Sequence, residues 1–449
     1  MEGRVKTKMH LAFDISYTHL DGRWRMPGSW VGRTYPDLGI YEEIARISER
    51  GCIDMLFFGD GTGIPDTWNG SRDEAVRWGI GWPRHDMSPV ITVMSRVTSK
   101  IGFGLTYAST FMHPFYVARL FNSLDHVTGG RIAFNVIASS RPADAANYGF
   151  DELMEHGLRY DRMEEFIDVC RALWDSAAPD SFSWDRESGV VADPAKVHAI
   201  NHVGKFFKVR GPLNCMPSPQ VYPVLIQAGS SPRGIKASAY IADHIFARWP
   251  PAAQKAQHRA ELDKALVATG RDPAKVGILW GVGLIVAETE HEAKARREQL
   301  LTMIPREAIG PYLSHNSAYD FSTLPDRFSL GELNARITAK NASPVGFVHK
   351  LARTLGENAE ITREEFFEYG LRTATNYDRT YAGTAATLAD MLEEEFEAGG
   401  SRGGFMIVHP QAVPRDLLNV VDLLVPELQR RGRFRKSYEG RTLRENLSA

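Results

Sequence analysis

The sequence predicts an α/β fold, a (β/α)8 TIM barrel carried as a single domain over residues 1–449 with insertions. Three observations predict it. Short apolar runs alternate with amphipathic helical stretches, the runs number eight, and the first run lacks the glycine-rich loop that a doubly wound dinucleotide fold carries there. The runs are MHLAFDIS from Met9, DMLFFGD from Asp54, KIGFGLTYAS from Lys100 and RIAFNVIASS from Arg131. They continue with YPVLIQAGS from Tyr222, DHIFARW from Asp243, VGILWGVGLIVAE from Val276 and GGFMIVHP from Gly403. After Ser16 the chain reads YTHLDGRWRMPGSW, with no dinucleotide pattern, so a doubly wound sheet is the weaker alternative.

The intervening stretches have helical spacing. In DLGIYEEIARISERG from Asp37, Ile40, Ile44 and Ile47 fall on one face and Gly51 is a stop signal. DHVTGGR, with Asp125, His126, Gly129 and Gly130, ends a helix before the fourth strand, and His113 before Pro114 starts one. Segments 61–86, 177–221 and about 306–380 break the rhythm and are read as insertions. Connections of that length are usually functional walls, and those leaving strand C-termini build a barrel's active site. Segment 61–86 follows a strand and carries Trp68, Trp78 and Trp82 with Asp66, Arg72, Arg84 and His85, so the three tryptophans are expected to line the substrate.

Composition narrows the classes of function. Hydrophobic residues at 43% and charged residues at 24% of 449 suit a large buried core. A formal net charge of −2, with one short basic stretch at Arg430, Arg431, Arg433, Arg435 and Lys436, offers no broad positive face for nucleic acid. Three scattered cysteines, Cys52, Cys170 and Cys215, suggest neither disulfide framework nor zinc site, and no HExxH pattern points to another metal. The N-terminus lacks the apolar core of a signal peptide, and no apolar run would span a bilayer. A cytoplasmic protein with no membrane partner is expected.

QAGSSPRG, Gln227 to Gly234, lies where the fifth strand gives way to a helix. Its small residues leave backbone N–H groups and the hydroxyls of Ser230 and Ser231 to hold an anion such as phosphate, or the serine is an ordinary N-cap. HGLRY, His156 to Tyr160, opens another helix whose Arg, His and Tyr could complete such a site or pack the surface. Asn135 and Ser139 alternate with apolar residues at the fourth strand's end, placing them on one face. Asp60 ends the second strand and Thr106 sits in the third; both can hydrogen-bond a planar heterocycle, and Asp60 can equally be a turn residue.

Six marks occur in order along nearly the whole chain: WR at Trp24 and Arg25, HPFYVAR from His113, LDHVTGGR from Leu124, RYDRMEEFIDV from Arg159, QAGSSPRG, and VPELQRRGRFRKSYEGRTLRENL from Val425. By these the sequence resembles the bacterial-luciferase-like flavin monooxygenases, in the branch that oxidises nitrilotriacetate, EDTA, dibenzothiophene sulfone, long-chain alkanes and dimethyl sulfide. The resemblance implies FMN at the barrel's C-terminal rim. Asp60, Thr106, Asn135, Ser139, His156 and Tyr160 would line it, and Gly229, Ser230 and Ser231 would hold its phosphate. It implies FMNH2 from a separate NAD(P)H:flavin reductase, reaction with O2 to a C4a-hydroperoxyflavin, a small organic substrate, and a homodimer or homotetramer; an aromatic lining from the tryptophans of 61–86 would suit an aromatic or heterocyclic molecule. His156 and Asn135 are the catalytic candidates. Two departures stand out: Ala138 in NVIAS replaces a usual Thr, and HGLRY lacks two acidic positions of HDERY. A deazaflavin-dependent oxidoreductase and a non-catalytic flavin-binding protein are the alternatives.

Overall fold

The computed structural model describes residues 7–16, 20–30, 37–139, 141–229, 231–248, 252–339 and 346–448. Eight parallel strands form the centre: β1 (His10–Asp14), β2 (Met55–Phe58), β3 (Gly102–Ala108), β4 (Ile132–Ile137), β5 (Val224–Ala228), β6 (His244–Arg248), β7 (Gly277–Val286) and β8 (Gly403–Val408). Each pairs with the next, and β8 closes on β1, so the sheet is a barrel without a free edge. These are the eight runs expected from sequence. A short strand, Thr380–Gly383, pairs in parallel with the far end of β7, Thr380 opposite Gly283.

Side-chain alternation divides each strand between two cores. Leu11, Phe13, Leu56, Phe58, Phe103 and Phe134 face outward into the layer beneath the helices. Ala12, Met55, Phe57, Ala133, Ile226, Leu279 and Met406 fill the barrel with Leu443 and Leu447 from the C-terminal helix Leu443–Ser448. That helix plugs the bottom. Gly102 makes room for it, because a Cβ there would lie 2.5 Å from Leu443 Cδ1.

The helix signals are borne out by their hydrogen bonds. Helix α1 (Leu38–Arg50) buries Ile40, Ile44 and Ile47 and is capped by Asp37, which accepts from Gly39 N. Helix α2 (Pro114–Thr128) starts at His113, whose Nδ1 accepts from Phe115 N at 3.3 Å, and ends at Gly129 with φ +66°. Asp125 has the structural role expected of it, accepting from Gln220 N and Nε2 at 2.9 and 2.7 Å. Three residues of the basic stretch near the C-terminus are consumed internally: Arg431 and Arg433 pair with Glu393, and Arg435 with Asp54 at 2.6 Å.

The insertions differ in construction. Segment 177–221 carries a two-residue hairpin pair, His202 opposite Val209. Segment 306–380 builds its own apolar core, in which Tyr312, Phe321, Phe328, Phe366 and Val348 are buried. Among the described residues no helix is long and apolar enough to cross a membrane.

Candidate active site

At the C-terminal ends of the strands two adjoining cavities, about 270 and 250 Å³, share Asp60, Ile137 and Asp144. The β3–β4 register sets Thr106 opposite Asn135. Both belong to the inward-facing half of their strands, and the Asn135 amide donates to Thr106 Oγ1 at 2.9 Å. Its carbonyl oxygen is buried with no hydrogen-bond partner among the described residues. An unmet acceptor at a barrel mouth costs free energy on the order of 1–3 kcal/mol unless a ligand supplies a donor.

Asp60 stands at the edge of both cavities. Its Oδ1 accepts from Gly61 N at 2.7 Å and lies 3.7 Å from Arg84 Nη1. Burial pushes its carboxyl up to about 6, and Asp86 and Asp144 add to the rise. Asp144 holds the start of the 61–86 loop, accepting from Thr62 N and Gly63 N at 2.9 and 2.7 Å and from Ser139 Oγ at 3.0 Å. Ser139 has φ +25°, an unusual backbone for a residue with a side chain, and its carbonyl accepts from the Arg159 guanidinium.

The second cavity runs from Asp60 past Ala138, Ser139 and Arg141 to His156, Arg159, Tyr160 and Ala228. His156 and Tyr160 rings meet edge to face at 5.1 Å, four residues apart on helix α3 (His156–Trp174). Glu155, just ahead of the altered HGLRY stretch, caps α3 by accepting from Gly157 N and Leu158 N. Beyond Ala228, Gly229 and Gly234 pack face to face: a Cβ on Gly229 would sit 3.0 Å from Gly234 Cα, and one on Gly234 3.2 Å from Tyr160 Oη. Gly234 is in the first turn of α4 (Pro232–Ile241), where Ser231 Oγ accepts from Gly234 N at 3.1 Å. Ser231 is thus an N-cap whose hydroxyl proton remains able to donate. Ser230 lies outside the described residues.

The three tryptophans part company. Trp82 lines the first cavity with Ile64, Phe111, Met112 and Tyr148. Trp68 and Trp78 turn away to pack on the core of the 306–380 insertion. Trp68 sits 6.0 Å from Phe367, ring to ring, and against Gly310 of α5 (Arg306–Ser317), where a Cβ would lie 2.5 Å from its ring. Neither borders the two cavities. Sequence reasoning passed over Arg141, Asp144, Phe111, Tyr148 and His315, which geometry brings to this region. Their signal is spatial, since only the fold gathers positions as distant as 111 and 315.

A closed parallel barrel with a polar cleft at its C-terminal rim defines a barrel enzyme. The family model described as "Luciferase-like monooxygenase" matches residues 23–402. Dibenzothiophene-sulfone monooxygenase of Rhodococcus erythropolis (strain XP) is 34% identical over 446 residues, covering 98% of this chain and 96% of that one. Nitrilotriacetate monooxygenase component A of Aminobacter aminovorans is 34% identical over 465 residues, covering 100% and 97%. Among solved structures, riboflavin lyase with modified FMN and substrate riboflavin superposes with a TM-score of 0.84 at 27% identity, covering 98% of this chain and 95% of that one. The chain belongs to the luciferase-like monooxygenases, and it is a flavin-dependent monooxygenase.

Proposed function

We propose that this chain binds reduced FMN supplied by a separate NAD(P)H:flavin reductase and inserts one atom of O2 into a small organic substrate. The observation that carries the reading is the buried carbonyl of Asn135 beside Thr106, without a hydrogen-bond partner among the described residues. The next inward residue of that strand, Ile137, lines a cleft that runs to Ala228, just ahead of the Gly229–Gly234 cradle. A planar heterocycle with ring donors meets that acceptor, and a phosphorylated tail reaches the N-terminus of α4, whose backbone N–H groups and dipole favour an anion. The residues present fit FMN. When bound and reduced, the flavin supplies the activation of O2.

The protein's own residues do the rest. Asn135, Thr106 and Asp60 orient the ring edge; Ser139, His156 and Tyr160 line the tail; Gly229 and Ser231, with Ser230, hold the phosphate. Trp82, Phe111, Met112 and Tyr148 exclude water from the substrate side. Asp60, with its carboxyl at about 6, holds a proton through part of the working pH range. Asn135 orients the ring edge as a hydrogen-bonding group, and His156, on the wall of the tail cavity, is the other catalytic candidate. The two-component arrangement is supported by the relative named as component A.

The test is turnover with FMN reduced photochemically under air, against a panel of small sulfur, nitrogen and aromatic compounds. Oxygenated product is expected without any reductase, whereas NADH plus FMN and this chain alone should give no NADH consumption. Rapid NADH oxidation by the purified chain would defeat the two-component reading. A second measurement addresses the tail: Ser231→Ala removes a hydrogen bond to a charged group, worth roughly 1.5–3 kcal/mol. FMN affinity should fall at least tenfold, and riboflavin should bind the wild type weakly; equal FMN and riboflavin affinities would move the phosphate elsewhere.

A further inference from the structure

Of the three residues that the two cavities share, Asp144 bonds to both sides of the cleft. It sits in the short helix Pro142–Asn147 and is 4% exposed. Its Oδ1 accepts from Thr62 N and Gly63 N at 2.9 and 2.7 Å, on the substrate side, and its Oδ2 accepts from Ser139 Oγ at 3.0 Å, on the side of the tail cavity. One carboxylate therefore joins the start of the 61–86 loop to the end of β4.

The loop is shaped to be seated at this point. Asn147 of the same short helix donates from Nδ2 to Thr62 O at 2.7 Å, so Thr62 is gripped by both its N–H and its carbonyl. Gly63 lies directly on the helix's first turn: a Cβ there would stand 2.5 Å from Ala143 C and 2.7 Å from Asp144 N, which no side chain tolerates. Backbone against backbone at that distance leaves the loop's foot one position. Ser139, across the seam, has a second support in the Arg159 guanidinium, which donates to its carbonyl.

The wall of the first cavity begins at this foot. Gly61, Thr62, Gly63 and Ile64 all line it. The far end of the loop has its own anchor, since Asp86 accepts from Tyr107 Oη and Ser88 N, each at 2.8 Å. The middle is held by Trp68 and Trp78 in the core of the insertion. Releasing the foot therefore frees the part of the wall nearest Ser139 and leaves the rest of the loop attached.

Resting on the flavin-monooxygenase reading above, we propose that Asp144 is a positioning residue of the reaction: acting through Thr62 and Gly63, it seats the substrate wall at a fixed distance from the flavin site at Ser139. The seat keeps substrate and flavin in register and closes the seam between the cavities to water. A small displacement of a positioned group costs a large factor in rate, and a breached seam exposes the reacting centre. The role is one of shape rather than charge. An amide oxygen in place of Oδ1 can accept the same two N–H groups, and an amide NH2 in place of Oδ2 can donate to Ser139 Oγ, which accepts equally well. Asp144→Asn thus keeps the seam, and Asp144→Ala opens it.

The experiment first follows amide hydrogen exchange by mass spectrometry in the protein loaded with oxidised FMN. In peptides containing Thr62 and Gly63, Asp144→Ala is expected to exchange at least tenfold faster than wild type and Asp144→Asn within threefold of it. FMN affinity should stay within fivefold in both, because Ser139 keeps its bond from Arg159. Turnover is then measured with photoreduced FMN under air, on a compound from the panel above that wild type oxygenates. Asp144→Ala should release at least five times more hydrogen peroxide per product and raise KM at least threefold, with reduced-flavin consumption within twofold; Asp144→Asn should return both to within twofold of wild type. Asn147→Ala, at an exposed position, loosens the same foot and should raise exchange and peroxide release at least twofold, which covers the case in which Asp144→Ala does not fold. An Asn variant as leaky as the Ala variant would assign the effect to charge and overturn the inference. So would unchanged exchange in Asp144→Ala, or a tenfold loss of FMN affinity with peroxide release unchanged, which would place Asp144 in the flavin site alone. A wild type that oxygenates nothing would defeat the monooxygenase reading by itself, whereas the exchange measurement needs no turnover and decides the seat of the loop regardless.

Discussion

At Asp60 the barrel and the carboxylate make opposing demands, and the conflict can be read by pH. The end of β2 brings the side chain under a protein layer that disfavours its charge, and the single N–H of Gly61 does not compensate. A carboxyl whose folded pKa is about 6, against an ordinary 3.8, binds its proton more tightly in the folded state. Folding stability should then fall as pH rises from below 4 to above 6, by roughly 2 kcal/mol, since each tenfold change in proton affinity corresponds to about 1.4 kcal/mol and partial exposure discounts the total. Asp60→Asn carries no such charge. In urea melts of the flavin-free protein it should match wild type at pH 4, gain on it through pH 6 and keep a constant lead above; parallel curves across the range would show that Asp60 is ionised at no cost. Asp60 was legible in the sequence as a polar residue ending a strand. Its raised proton affinity was not, because that comes from burial and from Asp86 and Asp144, which only the folded loops bring near.

The loop 61–86 shows how an element divides its labour. Its first residues are fixed by Asp144, its middle is drawn outward by Trp68 and Trp78 into the insertion's core, and its end returns to the cleft with Trp82 and Arg84. Trp68→Ala should therefore act as a core truncation, lowering stability by about 3–5 kcal/mol, with hydrogen peroxide released per substrate oxidised unchanged at a temperature where the variant is folded. Trp82→Ala should do the reverse, leaving the melting temperature within a few degrees and raising peroxide release severalfold, because it opens the wall that keeps water from the site. If both variants leak, or neither does, the division is wrong. The barrel strands were legible because a two-residue alternation and regular helix spacing are local signals. The loop was not, since Trp68 gains its role from Gly310 and Phe367 and no periodicity links positions that far apart.

On the scale of the whole molecule, function and stability occupy opposite ends of one barrel. The cleft lies at the strand C-termini, while the bottom is closed by the last stretch of chain. There Arg435 pairs with buried Asp54, Arg444 with Asp243 at 3.0 Å, and Leu443 and Leu447 enter the barrel. The C-terminal stretch that carried part of the family resemblance is thus architectural, and Arg431, Arg433, Arg435 and Arg444 serve its ion pairs. Leu443 is fully buried and fills the space that Gly102 leaves open. Leu443→Ala removes apolar surface and leaves a cavity where β3 and its neighbours are too regular to collapse, so a loss of about 2–5 kcal/mol is expected. The strand ends at the cleft are a barrel's height away and held by their own ladder, so FMN affinity, coupling and kcat/KM measured well below the melting temperature should stay within twofold of wild type. The comparison is urea denaturation alongside turnover with photoreduced FMN. A variant of undiminished stability would show that the helix is not a plug, and one that keeps its stability but uncouples oxygen use from product would place the bottom of the barrel in communication with the site.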